Sequence, residues 1–110
     1  MRQDGSEAAV LCRAMPSFRV TMTIGMLRPG VAPERVVPTA AEAAAEFATV
    51  EASAVDVVAG EARVTVRFTA GDQQIARQIG DHVVSATAAV AETRAWTLTH
   101  RTRGQWTVLA

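Results

Sequence analysis

The chain has 110 residues, of which 49% are hydrophobic and 20% are charged, and its 11 basic residues balance its 11 acidic residues. This composition predicts one folded, water-soluble domain with an ordinary core and excludes a disordered chain. The zero formal net charge argues against a nucleic-acid partner and against an anionic membrane surface, because such partners usually require a basic excess.

The basic side chains other than histidine are all arginines, and the sequence contains no lysine, asparagine or tyrosine. These missing residues share AT-rich codons, so we interpret the arginine content as the mark of a GC-rich bacterial genome. Cys12 is the only cysteine, which excludes an intramolecular disulfide and favours a reducing, cytoplasmic location. No stretch approaches the ~20 apolar residues of a membrane-spanning helix, so we expect no membrane association.

Residues 1–14 show no sustained hydrophobic period, and we interpret them as a flexible N-terminal tail. Met15 lies just before the first predicted strand and is a candidate start codon, in which case the tail is not translated in the cell. A translated flexible arm is the competing interpretation. A single domain is predicted over residues 15–110.

The first predicted element is a strand over Ser17–Leu27, in which an apolar and a polar series alternate. The apolar series is Phe18, Val20, Met22, Ile24 and Met26, and the polar series is Arg19, Thr21, Thr23 and Gly25. A short helical turn over residues 33–37 is expected to stop at Pro38. The capping-box pattern Thr39–Glu42 then predicts an alanine-rich helix that reaches about Ala48, with Phe47 as its large anchor.

A second strand is predicted over Val50–Val58, followed by a tight turn and a third strand over Ala62–Thr69. The second helix is expected to begin after an N-cap at Asp72 or Thr69. It is expected to reach about Ala91, because apolar residues recur at helical spacing. This series is Ile75, Ile79, Val83, Ala86 and Val90. Gly80 and Ala76 form a notch one turn long, which we expect to receive the first helix. A closing hairpin pairs strands at 93–100 and 105–109.

The order of these elements predicts an α+β fold, specifically a ferredoxin-like βαββαβ sandwich with an extra C-terminal strand. Right-handed crossovers place both helices on one face of an antiparallel sheet. The first and third strands are then central neighbours, and their apolar residues form the core beneath the helices. The other face of the sheet carries mainly arginine and threonine.

This polar face contains the residues that we predict to bind a small anionic ligand, because guanidinium groups match carboxylate and phosphate oxygens. They are Arg19, Thr21, Arg63, Thr65 and Arg67. A solvated surface without a ligand is the alternative. We also expect a homodimer, formed sheet to sheet or edge to edge, in which Trp106, Thr97 and Thr99 contribute to the interface.

Catalytic motifs are missing from the sequence: it contains no G-x-S-x-G, no phosphate-binding loop, no dinucleotide fingerprint and no zinc-ligand spacing. We therefore predict a cytoplasmic homodimeric module that binds a ligand or a protein, without catalytic residues, metal or cofactor. The alternative is a small dimeric α+β barrel enzyme with a cavity between sheets or between sheet and helices, for which His100, Arg67 and Trp96 are the candidates. RNA binding is disfavoured because the polar face lacks the stacking aromatics of ferredoxin-like RNA binders.

Overall fold

The structure is a computed structural model that describes residues 16–109, so the predicted tail, residues 1–14, lies outside the described residues. The strands form one antiparallel sheet in the order β2-β3-β1-β4-β5. The predicted α+β class, with an antiparallel sheet and two helices, is confirmed. In chain order the elements are β1 (Ser17–Leu27), a 3-10 turn (Pro33–Arg35), α1 (Val36–Ala45), β2 (Val50–Val58), β3 (Glu61–Thr69), α2 (Gln73–Ala88), β4 (Ala91–Thr102) and β5 (Gln105–Val108).

The core is organised around β1, which pairs with β3 on one side and with β4 on the other. Its even-numbered residues from Phe18 to Ile24 are buried, as the alternation predicts. The neighbouring strands and the helices complete the core with Val64, Val66, Phe68, Leu98, Ile79 and Val83. Met26 was expected in this series but is 75% exposed. The register between β1 and β4 shifts after Ile24, so the alternation does not continue to Met26.

The first helix begins earlier than its capping-box pattern predicted. α1 follows the 3-10 turn directly at Val36, with no side-chain cap, and Pro38 lies in its first turn. Proline is tolerated there because the first backbone N–H groups of a helix have no intrahelical acceptor in any case. The helix ends at Ala45, so the expected anchor Phe47 lies beyond it and is 63% exposed. α1 instead packs through small residues, namely Val36, Ala40, Ala43 and Ala44.

The second helix is capped as expected, since the side chain of Asp72 accepts a hydrogen bond from the backbone N–H of Ile75 at 2.8 Å. It ends at Ala88 rather than at Ala91, and Ile75 is half-exposed instead of buried. The expectation that Gly80 receives the first helix is wrong. A Cβ at this position would lie 3.3 Å from Cγ2 of Val20 and 3.4 Å from Cζ3 of Trp96. The glycine therefore lets α2 approach the sheet.

Two hairpins share one turn geometry. The pairs Val58–Glu61 and Thr102–Gln105 leave two-residue loops. Ala59 and Gly60 have φ values of 53° and 80°, and the second loop, Arg103-Gly104, has 52° and 79°. Positive φ at both central residues is typical of a type I′ turn, which matches the twist of the flanking strands. Ala59 and Arg103 therefore occupy a left-handed backbone conformation, which is unfavourable for residues that carry a Cβ atom.

Gly80→Leu should destabilise the protein by about 1–3 kcal/mol, because the larger side chain overpacks the contact with Val20 and Trp96. Thermal unfolding should show this as a melting temperature lowered by several degrees. Gly71→Leu is the matched control, since the nearest atom to a Cβ there is Cδ1 of Ile75 at an ordinary 3.7 Å. Equal melting temperatures for the two variants would contradict the close helix–sheet contact.

Ala59→Asn should stabilise the protein by about 0.5–1 kcal/mol, because asparagine tolerates the left-handed conformation and Asn-Gly favours type I′ turns. Urea denaturation measures the change. Arg103→Asn should have a similar effect in the second hairpin. A loss of stability in both variants would show that the turns do not have this geometry.

Candidate anion-binding site

The residues predicted to bind an anion lie together on the sheet face that points away from the helices, which we call the open face. Arg19 of β1 lies directly opposite Arg67 of β3, and the next rung of the same face pairs Thr21 with Thr65. Arg63 follows on the third rung, opposite Thr23. All five predicted ligand residues therefore lie on one face, as the alternation of side chains along each strand predicts.

Trp106 covers one end of this face. Its ring centroid lies 4.3 Å from Cζ of Arg19 and 5.4 Å from Cζ of Arg67. Trp106 belongs to β5, so the indole reaches across β4 to contact arginines on the two central strands. A tryptophan ring face attracts guanidinium groups, an interaction of about 0.5–2 kcal/mol depending on solvent exposure. The ring therefore holds two positive charges close together.

The two arginines differ in their partners. Nε of Arg67 donates to Oε1 of Glu51 at 2.9 Å, and the Ser17 hydroxyl donates to the same oxygen at 2.8 Å. Arg19 makes no salt bridge with any residue from 16 to 109, and its Nε is shielded from solvent without a hydrogen-bond acceptor. Like charges directly opposite each other in a sheet destabilise it, and one carboxylate neutralises only one of the two. Among residues 16–109 the positive charge of Arg19 is therefore uncompensated.

This cluster has the chemistry of an anion site. A guanidinium group offers several N–H donors in a plane, which suits two oxygens of a carboxylate or phosphate. The indole beneath the guanidinium group of Arg19 limits its motion, so less conformational entropy is lost when an anion binds. A shallow depression of about 210 Å³ lies beside it, lined by Arg19, Arg67, Thr65 and residues 52–54 of β2.

The predicted interface residues are partly engaged within the chain. The Trp106 ring contacts the guanidinium groups of Arg19 and Arg67. Thr99 is 8% exposed, and its hydroxyl donates to the backbone carbonyl oxygen of Arg19 at 3.3 Å. Thr97 is exposed on the open face. A role for these three residues at a subunit interface stays a prediction.

The three candidates for the alternative enzyme are not brought together. His100 stacks on Phe18, with ring centroids 4.8 Å apart, on the face that the helices cover. Trp96 packs on the same face, next to the position of Gly80. Arg67 lies on the open face, beside Trp106. The sheet therefore separates the arginine from the histidine and the tryptophan.

Two carboxylates on the open face were missed by the sequence argument. Glu51 lies at a bulge between Val50 and Ala52, so the alternation of side chains along the strand does not predict which face it occupies. Glu92 lies over Gly25, where its Oε1 accepts a hydrogen bond from the backbone N–H of Met26 at 3.2 Å. This bond and the neighbouring Arg94 hold the pKa of Glu92 below its usual value. The glycine inside an otherwise regular strand was the available signal, since such glycines often mark a close approach.

Two further depressions in the described part of the chain lie on the helix-bearing side. One of about 280 Å³ is lined by apolar residues of β1, β2, β3, the 3-10 turn and α1. The other, of about 390 Å³, lies between Phe47 and α2, near the 3.3 Å contact of His82 with Glu46. Over residues 16–109, no group of three or more His, Cys, Asp or Glu side chains is arranged to hold a metal ion. Neither α1 nor α2 has the length and apolar character needed to cross a membrane.

Comparison of the chain with protein-family models, with curated proteins and with solved structures finds no match. The chemistry of the site therefore rests on the residues themselves.

The lowered pKa of Glu92 predicts a pH dependence of stability. A carboxylate with a depressed folded-state pKa stabilises the fold above its unfolded value, and the contribution is lost as the pH falls through the folded value. Urea denaturation of the wild type and of Glu92→Gln should show a small stability difference at neutral pH. The difference should shrink below about pH 4.3, the usual glutamate value. A difference that is constant across this range would contradict the assignment.

Proposed function

We propose that this protein is a homodimeric binding module that holds a small anion with carboxylate or phosphate oxygens on its open face and catalyses no reaction. The observation that carries the proposal is Arg19, whose guanidinium group lies on the Trp106 ring, opposite a second arginine, without a carboxylate partner among the described residues. An anion bound to the terminal N–H groups of Arg19 would compensate this charge.

The surroundings of Arg19 support a small ligand rather than a nucleic acid. The open face has one tryptophan near the arginines, and that ring is already covered by guanidinium groups. Single-stranded nucleic acids need a positive groove and free stacking surfaces for several bases. The cluster around Arg19 and Arg67 includes the carboxylate of Glu51, which limits its net charge. It therefore suits one anionic group.

We also propose that the sheet is a ferredoxin-like arrangement extended by β5. The order β2-β3-β1-β4 supports this, because β1 and β3 are central, and because α1 joins β1 to β2 while α2 joins β3 to β4. The single cysteine of the printed sequence supports a reducing compartment such as the cytoplasm.

Anion binding is tested by adding sodium acetate, citrate or inorganic phosphate to the labelled protein at constant ionic strength and recording proton–nitrogen spectra. The indole N–H signal of Trp106 and the Nε–H signal of Arg19 should shift with anion concentration. The indole signal of Trp96, on the other face of the sheet, should not shift and is the internal control. If no anion shifts the Trp106 signal, the proposed site does not bind these groups.

Arg19→Gln should weaken the binding of the same anion at least about tenfold, because a charge-assisted hydrogen bond is lost. Arg35→Gln is the matched control, since this exposed arginine lies in the 3-10 turn, outside the cluster. Equal losses in both variants would indicate a nonspecific effect of net charge and would contradict the site.

A further inference from the structure

We propose that residues 8–15, which we call the apolar segment, dock in the groove between Phe47 and α2 of the same chain. The segment reads AAVLCRAM, and Arg13 is its only residue that is not hydrophobic. It lies outside the described residues and directly precedes Pro16, where the described chain begins. The groove has a volume of about 390 Å³ and is lined by Phe47, Ile75, Gln78, Ile79 and His82. Anion binding is a separate matter, because the anion site lies on the other face of the sheet.

The groove has apolar walls that the described residues leave open to solvent. Phe47 forms one wall and is 63% exposed, and its ring meets the ring of His82 edge-on with centroids 5.0 Å apart. Ile75, in the first turn of α2, forms the other wall and is 44% exposed. An apolar side chain placed between these walls would remove both of them from water, which is favourable.

The apolar segment joins the described chain beside the Ile75 wall. The carbonyl oxygen of Pro16 accepts a hydrogen bond from the backbone N–H of Ala70 at 3.2 Å. Gly71 follows Ala70 and lies against this wall, since a Cβ at Gly71 would be 3.7 Å from Cδ1 of Ile75. The chain therefore leaves the sheet next to the start of α2.

The Phe47 wall is close to the same end of the sheet. The carbonyl oxygen of Thr49, two residues after Phe47, accepts a hydrogen bond from the backbone N–H of Thr69 at 3.1 Å, and Thr69 pairs with Ser17 at the start of β1. Leu11 precedes Pro16 by five residues, which span up to about 18 Å when extended. A helix with its side chains is only about 10–12 Å across. The apolar segment is therefore long enough to pass the end of α2 and place Leu11 in the groove.

The charge at the rim of the groove suits the one charged residue of the apolar segment. Glu46 lies beside the groove, with its Oε1 3.3 Å from Nε2 of His82, and its side chain is 57% exposed. Arg13 carries the opposite charge. An exposed ion pair contributes little free energy, so burial of apolar surface supplies most of the affinity and the charges favour one orientation.

Attachment to the same chain favours this segment over other occupants. A binding group on a short flexible linker has an effective concentration in the millimolar range at its site. The same segment of a second copy, or a free apolar molecule, has to reach a comparable concentration to displace it. The position of Pro16 beside the groove therefore selects the occupant.

Thermal unfolding of the full 110-residue chain tests the docking. Leu11→Asp should lower the melting temperature by about 4 °C or more, because the docked state would have to bury a charge. Ser6→Asp is the matched control, since it adds the same charge outside the apolar segment, and it should melt like the wild type. A melting temperature of Leu11→Asp equal to that of the wild type or of Ser6→Asp would overturn the docking.

Coupling between two substitutions tests the groove as the site. Leu11→Asp should lower the melting temperature less in an Ile75→Gln background than in the wild type, because the two changes remove the same contact. Val108→Gln is the matched background, since this valine is exposed on β5, and there the effect of Leu11→Asp should be unchanged. Additive effects of Leu11→Asp and Ile75→Gln would show that the segment does not contact this wall.

The position of the segment is tested through Cys12, the only cysteine of the printed sequence. A nitroxide spin label on Cys12 should broaden the amide signals of Phe47 and His82 more than the indole signal of Trp106. Trp106 contacts Arg19 near the start of β1, on the opposite face of the sheet, and is the internal control. Equal broadening on the two faces would contradict docking on the helix side.

An equimolar mixture identifies the chain that supplies the segment. Spin-labelled protein is mixed with nitrogen-15-labelled Cys12→Ser protein, so that broadening arises only between copies. Unbroadened signals of Phe47 and His82 in this mixture would support docking within one chain. Broadening of these signals would assign the groove to the segment of a second copy and would overturn the proposal, whatever the anion titration shows.

Discussion

The position of β1 in the middle of the sheet is the constraint on which both sides of this protein depend. Because β1 has a partner strand on each side, the alternation of its side chains determines what faces the helices and what faces away. A slip of one residue would place Arg19 and Thr21 beneath the helices and move Phe18 and Val20 to the open face. The apolar core and the arginine cluster are therefore two results of one register.

The helices form a thin and incomplete layer over this sheet. α1 packs through alanines and one valine, and α2 approaches the sheet at Gly80. Small contact residues allow close packing. β2 is only partly covered on the helix side: Val50 packs against the core, whereas Val55 and Val57 are 53% and 74% exposed. Val55 also lines the apolar depression beside α1.

The parts of the fold that follow from local pattern were predictable. β1 and β2 have the predicted bounds, and the Asp72 cap forms, because alternation and capping depend on neighbours in sequence. The features that were missed depend on distances across the fold. The partner of Gly80 is set by how α2 lies on the sheet, and Glu51 is placed by a bulge. The alternation of side chains along the strands predicted that the five ligand residues share one face. The position of the Trp106 ring depends instead on the path of β5, which this alternation does not predict.

The contact between α2 and the sheet has a consequence for how this protein can change during evolution. The indole of Trp96 occupies the space into which a side chain at residue 80 would extend, so the size of each residue constrains the size of the other. Because protein interiors are closely packed, the combined volume of the two side chains should stay nearly constant. In descendants of this chain, sizes at these positions should covary inversely: a smaller aromatic or aliphatic residue at 96 would accompany alanine or serine at 80.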